Sequence, residues 1–183
     1  PAEIGGGFGG KTVTYLEPVA ATLSKKAGAP VRLQMTREDA FRASGPTSGA
    51  SMWVKIGVKK DGTIVAADGI FKFQAGAFPG SPVMNGCLCA YAPYDIANQR
   101  AVGFDVVSNR PKAAAYRAPG SPISAFAVES VLDMCAKAIG LDPLDLRHKN
   151  ACHIGTPTLA GPKHAHAGYA ETLEALMEHP AYK

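Results

Sequence analysis

The 183 residues are 46% hydrophobic and 19% charged, proportions of an ordinary globular chain with enough apolar surface for one domain or two small lobes. Lys and Arg exceed Asp and Glu by four. They are scattered apart from Lys25-Lys26 and Lys59-Lys60, which argues against a nucleic-acid-binding stripe. No apolar run reaches the ~18 residues of a membrane span, and the first residues do not read as a signal peptide.

The chain opens on Ile4 to Thr12, IGGGFGGKT. Gly5 to Thr12 fits the phosphate-loop pattern G-x-x-x-x-G-K-[ST], while Gly5, Gly7 and Gly10 fit the dinucleotide pattern G-x-G-x-x-G. Both patterns require a buried strand running into the loop. Only Pro1 to Ile4 precede it, so the chain is expected to be a segment of something longer.

Thr14 to Ala27 reads as a helix whose regular part begins near Glu17, with Pro18 in the first turn. Leu16, Val19, Ala20 and Leu23 make its apolar stripe, and Gly28 stops it. Val31 to Met35 alternates and reads as a strand. Thr36 with Asp39 predicts a capping box opening a short helix through Ala43. Met52, Val54, Ile56 and Val58 then alternate, Asp61-Gly62 predicts a tight hairpin turn, and Thr63 to Phe73 returns. Gly76 to Pro93 favours neither helix nor strand, and Ile96 to Val107 reads as a strand.

Ala113 to Pro122 is a loop that starts a helix, with Ser121 as N-cap and Pro122 at the first helical position. Ile123, Ala127, Val131, Met134 and Ala138 form the expected apolar face, opposite Glu129, Asp133 and Lys137. Gly140 ends the helix, Asp142-Pro143 starts a short one, and Tyr169 to Glu178 is the last. The pattern is α+β, with mixed or antiparallel strands, a β-hairpin and several helices. It divides into a glycine-loop, helix and strand region at 1–45, a β-rich region at 46–110 and a helical region at 111–183.

Cys87, Cys89, Cys135 and Cys152 lack zinc-ligand spacing. They read as reduced thiols of a cytoplasmic type of protein, with a periplasmic location left open, and Cys135 as a helix core residue. Cys152-His153 and His164-Ala165-His166 fall in a Gly/Pro-rich surface loop rather than a metal site.

Two loops carry the candidate chemistry. Amides at helix starts lack internal partners and favour anionic groups, and glycines let a ligand approach the backbone. Phe8 suits a flat heterocycle better than a polyphosphate. In the second loop Arg117 offers a planar, permanently charged fork, against the plain alternative of a surface salt bridge.

GGGFGGK, followed by AYRAPGSPISAFAVESVLDMCAKAIGLDPLDLRHKNA, resembles the molybdenum-cofactor-binding subunit of the xanthine dehydrogenase and aldehyde oxidase family, which includes carbon monoxide dehydrogenases. The resemblance extends over essentially the whole chain. It implies part of a molybdopterin-binding domain in which Gly7, Phe8, Gly9 and Gly10, with Arg117 and Ala118, meet the molybdenum–pterin cofactor. Thr12 and Pro119 would border the substrate pocket.

The implied reaction is oxidation of an aldehyde or aromatic heterocycle with oxygen from water. Electrons would leave through 2Fe-2S clusters and FAD on partner domains or subunits. Purine-oxidising members have a glutamate where Thr12 stands and a phenylalanine where Pro119 stands. Carbon monoxide dehydrogenases hold copper with a cysteine where Ala118 stands. The family's catalytic glutamate lies further downstream, so no catalytic residue and no metal ligand is expected within these residues. Two other readings stay open on sequence: a phosphate-loop nucleotide-binding fragment with Asp105 as magnesium ligand, and a non-catalytic assembly scaffold.

Overall fold

The alternating residues of the middle of the chain form the hairpin that their period of two requires. Strand β1 spans Ala50–Val58 and strand β2 Ile64–Gly76 in the computed structural model, which describes residues 5–45 and 47–182. The turn runs from Lys59 to Thr63. Lys59 N–H donates to the Thr63 carbonyl, and Asp61 accepts from Thr63 N–H at 3.0 Å. Gly62 has φ +87°, and a Cβ there would stand 2.6 Å from Leu141 Cδ1, so only glycine fits that corner. Strand β3, Asn98–Val107, completes a sheet of order β1-β2-β3.

Among the described residues the helices are α1 Glu17–Ala27, α2 Arg37–Ala43, α3 Val83–Cys89, α4 Ser121–Ile139, α5 Pro143–Lys149 and α6 Tyr169–Glu178. The α+β class read from the sequence is the class observed. The capping box of α2 is present: Thr36 Oγ1 accepts from Asp39 N–H, and the Asp39 carboxylate accepts from Thr36 N–H at 3.0 Å. The helix α3 arises in the stretch where the sequence favoured neither state.

Four local expectations fail. Residues 31–35 form no strand among the described residues; alternation supplies a face but no neighbouring strand to receive its amides. Gly120, not Ser121, is the N-cap of α4, with φ +89°, and Pro122 occupies the second helical position. The buried face of α4 is Ser124, Val128, Leu132 and Ala136, one residue round from the face expected, and Met134 points outward. Apolar side chains nearly encircle this helix, so its period does not single out one side. The α1 stripe is also uncovered, with Val19 and Leu23 both exposed.

Two compact units result: Pro1–Gly49 with Phe73–Pro82 and Asp105–Pro119, and Ala50–Lys72 with Val83–Phe104 and Gly120–Lys183. In the second, α4 packs on β1, α3 and α5, and α5 packs on α6. Phe71, Tyr91, Tyr94, Ile96, Leu132 and Leu146 are fully buried there. The side chain of buried Asn150 ties α5 to the hairpin, accepting from Ile64 N–H at 2.9 Å and donating to the carbonyls of Gly62 and Leu146.

Glu129 of α4 accepts from the Tyr94 hydroxyl and from Arg147 Nε of α5, both at 2.8 Å, and Arg147 also pairs with Asp133 at 2.7 Å. Burial, with the Tyr169 hydroxyl and the Glu129 charge, pushes the Tyr94 phenol far above its usual range, so it remains a donor to Glu129.

Candidate functional site

Both sequence-selected loops lie in the first compact unit. The glycine loop turns sharply at Gly7–Gly10: Gly10 N–H donates to the Gly7 carbonyl at 2.9 Å, with positive φ at both central residues, Phe8 at 51° and Gly9 at 97°. Thr12 locks the exit, its hydroxyl donating to the Gly9 carbonyl at 2.8 Å. Among the described residues only two non-glycine residues have positive φ, Phe8 and Ala118. One comes from each loop, and such conformations cost energy that the surroundings must hold in place.

The two loops touch. A Cβ on Gly9 would stand 2.6 Å from the Ala115 carbonyl oxygen, so the turn lies directly on the residues leading to Arg117. The rings of Phe8 and Tyr116 are 6.3 Å apart at 35°, within the range of aromatic pairs, and both stay more than half exposed, at 59% and 54%. The second loop is anchored behind by Ala113 N–H donating to the Ala75 carbonyl at 2.8 Å.

On its other side the glycine loop is open. Among the described residues, nothing lies within 4 Å of where a Cβ of Gly5 or Gly7 would stand. Gly7, Phe8 and Gly9 N–H meet no acceptor among the described residues. Arg117 is exposed, and its guanidinium makes no ion pair among the described residues, so the surface salt bridge is not found. Donor amides, an uncommitted guanidinium and an aromatic edge can together receive an anionic or oxo-bearing planar group. Thr12 and Ala118 are exposed on these same loops, and Pro119 is half-buried.

The phosphate-loop reading fares poorly on geometry. Gly10 N–H is spent on the Gly7 carbonyl. Asp105, its candidate magnesium ligand, instead accepts from Gly80 and Ser81 N–H at 2.6 and 2.8 Å. No group of three or more His, Cys, Asp or Glu capable of holding a metal occurs among the described residues. His164 sits 3.1 Å from the Ala92 carbonyl, His153 bonds Thr156 at 2.7 Å, and Cys135 is half-buried.

Sequence reasoning passed over Tyr116, although it adjoins Arg117 in the quoted motif. It also passed over Tyr15 and Gly45, for which no sequence signal exists.

With Gly10 N–H and Asp105 both engaged elsewhere, the glycine turn and arginine loop on this α+β frame suit an anionic cofactor better than a nucleoside triphosphate with its magnesium ion. The family pattern described as the molybdopterin cofactor-binding domain matches residues 1–151, and the chain belongs to that family. It is 35% identical over 177 aligned positions to the xanthine dehydrogenase molybdenum-binding subunit of Escherichia coli O157:H7, covering 93% of this chain and 23% of that one.

Among solved structures, aldehyde oxidoreductase from Desulfovibrio gigas superposes with TM-score 0.87 at 32% identity, covering 94% of this chain and 19% of that one. The aldehyde oxidoreductase from Desulfovibrio desulfuricans ATCC 27774 gives 0.88 at 27% identity, covering 97% and 20%. The chain thus spans about a quarter or less of these proteins. The open glycine face and the uncommitted Arg117 fit the group for which the family is named.

Proposed function

We propose that the chain is part of a molybdenum hydroxylase or aldehyde oxidoreductase and forms one wall of its cofactor site. Gly7, Phe8, Gly9, Gly10, Arg117 and Ala118 contact the molybdenum–pterin cofactor, and Thr12 and Pro119 border the substrate. The observation that carries this reading is the convergence of the two loops, each of which places one non-glycine residue in the left-handed region.

When bound, that cofactor would supply the oxidation of an aldehyde or electron-poor heterocyclic carbon, with oxygen from water. The chain's own residues bind and orient. Amides of Gly7, Phe8 and Gly9 donate to negative oxygens, Arg117 supplies a charge-assisted fork, and the Phe8 and Tyr116 rings exclude water from one edge. Thr12, Ala118 and Pro119 replace the residues expected for purine or carbon monoxide oxidation, which favours an aldehyde or another heterocycle. The remaining part of the molybdenum subunit closes the site, and 2Fe-2S clusters and FAD on partner domains or subunits take the electrons.

The test is Arg117→Ala in the full-length protein. A charge-assisted contact of about 1.5–3 kcal/mol predicts a loss of molybdenum occupancy or turnover of about tenfold or more, with circular dichroism unchanged. Full metal content and normal turnover would place Arg117 outside the site. ATP binding that depended on Lys11 would favour the phosphate-loop reading instead.

A further inference from the structure

Tyr15 lies beyond the glycine turn, yet its hydroxyl joins two of the segments that shape the site. Gly45 N–H donates to Tyr15 Oη at 2.9 Å, and Tyr15 Oη donates to the Gly10 carbonyl at 2.9 Å. One oxygen is acceptor and donor at once, and both partners are backbone.

Both ends of this bridge are seated on the same stretch of chain. A Cβ on Gly45 would collide with Ala114 and come within 3.1 Å of the Lys112 carbonyl, and Gly9, beside Gly10, meets Ala115. Tyr116 and Arg117 follow directly. Among the described residues the turn is held by one backbone hydrogen bond and the Thr12 hydroxyl, and it carries a left-handed Phe8 at φ 51°. A backbone in that state persists only where its surroundings over-determine it.

We propose that Tyr15 is a positioning residue of the cofactor site, its hydroxyl fixing the glycine turn at the height of the Ala115–Arg117 loop so that both sets of donors reach one ligand. The inference rests on the reading of Gly7–Gly10 and Arg117 as cofactor contacts. Its chemistry is that of a strut: a phenyl ring of the same shape fills the space but can neither accept from Gly45 nor donate to Gly10. Both backbone groups would then lose their partner, and the turn would sample other heights.

The experiment compares Tyr15→Phe with Arg117→Ala in the full-length protein, using molybdenum content after desalting and backbone hydrogen exchange of peptides covering 5–12 and 43–45. Removing a bridge of this strength should speed exchange of both peptides about tenfold in Tyr15→Phe and lower molybdenum content several-fold. Peptides of β1 and the urea midpoint of the remainder should not move.

Gly45→Ala, which attacks the other end of the strut through the Ala114 collision, should reproduce both effects if Tyr15→Phe proves hard to isolate. Loss of molybdenum in Arg117→Ala with neither effect in Tyr15→Phe would overturn the positioning role and leave the site reading standing. Faster exchange without molybdenum loss would make the strut merely structural, which also overturns the inference. Retention of both molybdenum and normal turnover in Arg117→Ala would instead overturn the site reading on which the inference rests.

Discussion

A left-handed residue with a side chain costs about 1–2 kcal/mol relative to glycine-compatible geometry, and Phe8 and Ala118 both carry that cost at φ 51° and 55°. Replacing Ala118 by glycine removes the strain and adds about 0.5–1 kcal/mol of unfolded-chain entropy. The expected result is a small net gain in stability, read as a slightly higher urea midpoint. Gly9→Ala moves the other way, because φ is +97° and the new Cβ would meet the Ala115 carbonyl at 2.6 Å. It should lower stability by about 2 kcal/mol and separate the two loops. Equal midpoints for Gly9→Ala and the parent would show that the loops do not press together. The glycine turn was legible in the sequence because close backbone approach demands glycine. Tyr15 was not, since a tyrosine near the start of a helix has many uses and only folding reveals which backbone groups its oxygen meets.

At the scale of elements, α4 and α5 are held by charge as well as by packing. Arg147 is nearly buried, with 11% of its side chain exposed, and its main partner Glu129 keeps about a third in water at 35%. Arg147→Leu leaves Glu129 without its counter-charge, and the expected loss is about 3 kcal/mol, the low end for breaking a buried pair. An unchanged denaturation midpoint would mean that the Tyr94 hydroxyl alone satisfies the carboxylate.

Asp105 of β3 makes the corresponding anchor in the first unit. Burial pushes its carboxyl up, but the amides of Gly80 and Ser81 and the Lys112 charge outweigh that and hold it below the ordinary range. A depressed carboxylate contributes stability above its unfolded pKa of about 4 and loses it as pH falls through the folded value. The parent should therefore lose more stability on acidification below pH 4 than Asp105→Asn, compared by urea midpoints across pH. Identical slopes would remove the anchor.

The hairpin, the capping box at Thr36 and the Asp142-Pro143 start of α5 were legible because each rests on local chemistry. The face of α4 and the missing strand at 31–35 were not. Both depend on which neighbour covers a residue, and a helix apolar nearly all round, or an alternating run without a partner strand, carries no record of that.

For the whole molecule, large apolar side chains remain uncovered: Phe41 is 77% exposed, Phe126 75% and Met84 73%. Exposed apolar area on this scale marks interfaces in assembled proteins. The 183 residues alone should therefore self-associate, shown by an elution volume that shifts with concentration, and should not retain molybdenum, since one wall encloses too little of a cofactor for tight binding. A concentration-independent monomer with stoichiometric metal would contradict both expectations. The Asn150 strut carries a different consequence, for the order of assembly. Its side chain completes the β1–β2 turn through Ile64 and Gly62 from 86 and 88 residues further along the chain. Ordering so distant a pair requires closing a long loop first, and non-local contacts of this kind slow folding. The hairpin can form early from its own residues, but its turn is sealed only when α5 arrives. During synthesis from the N-terminus, that turn therefore waits, amide and carbonyl in water, until Asn150 has emerged.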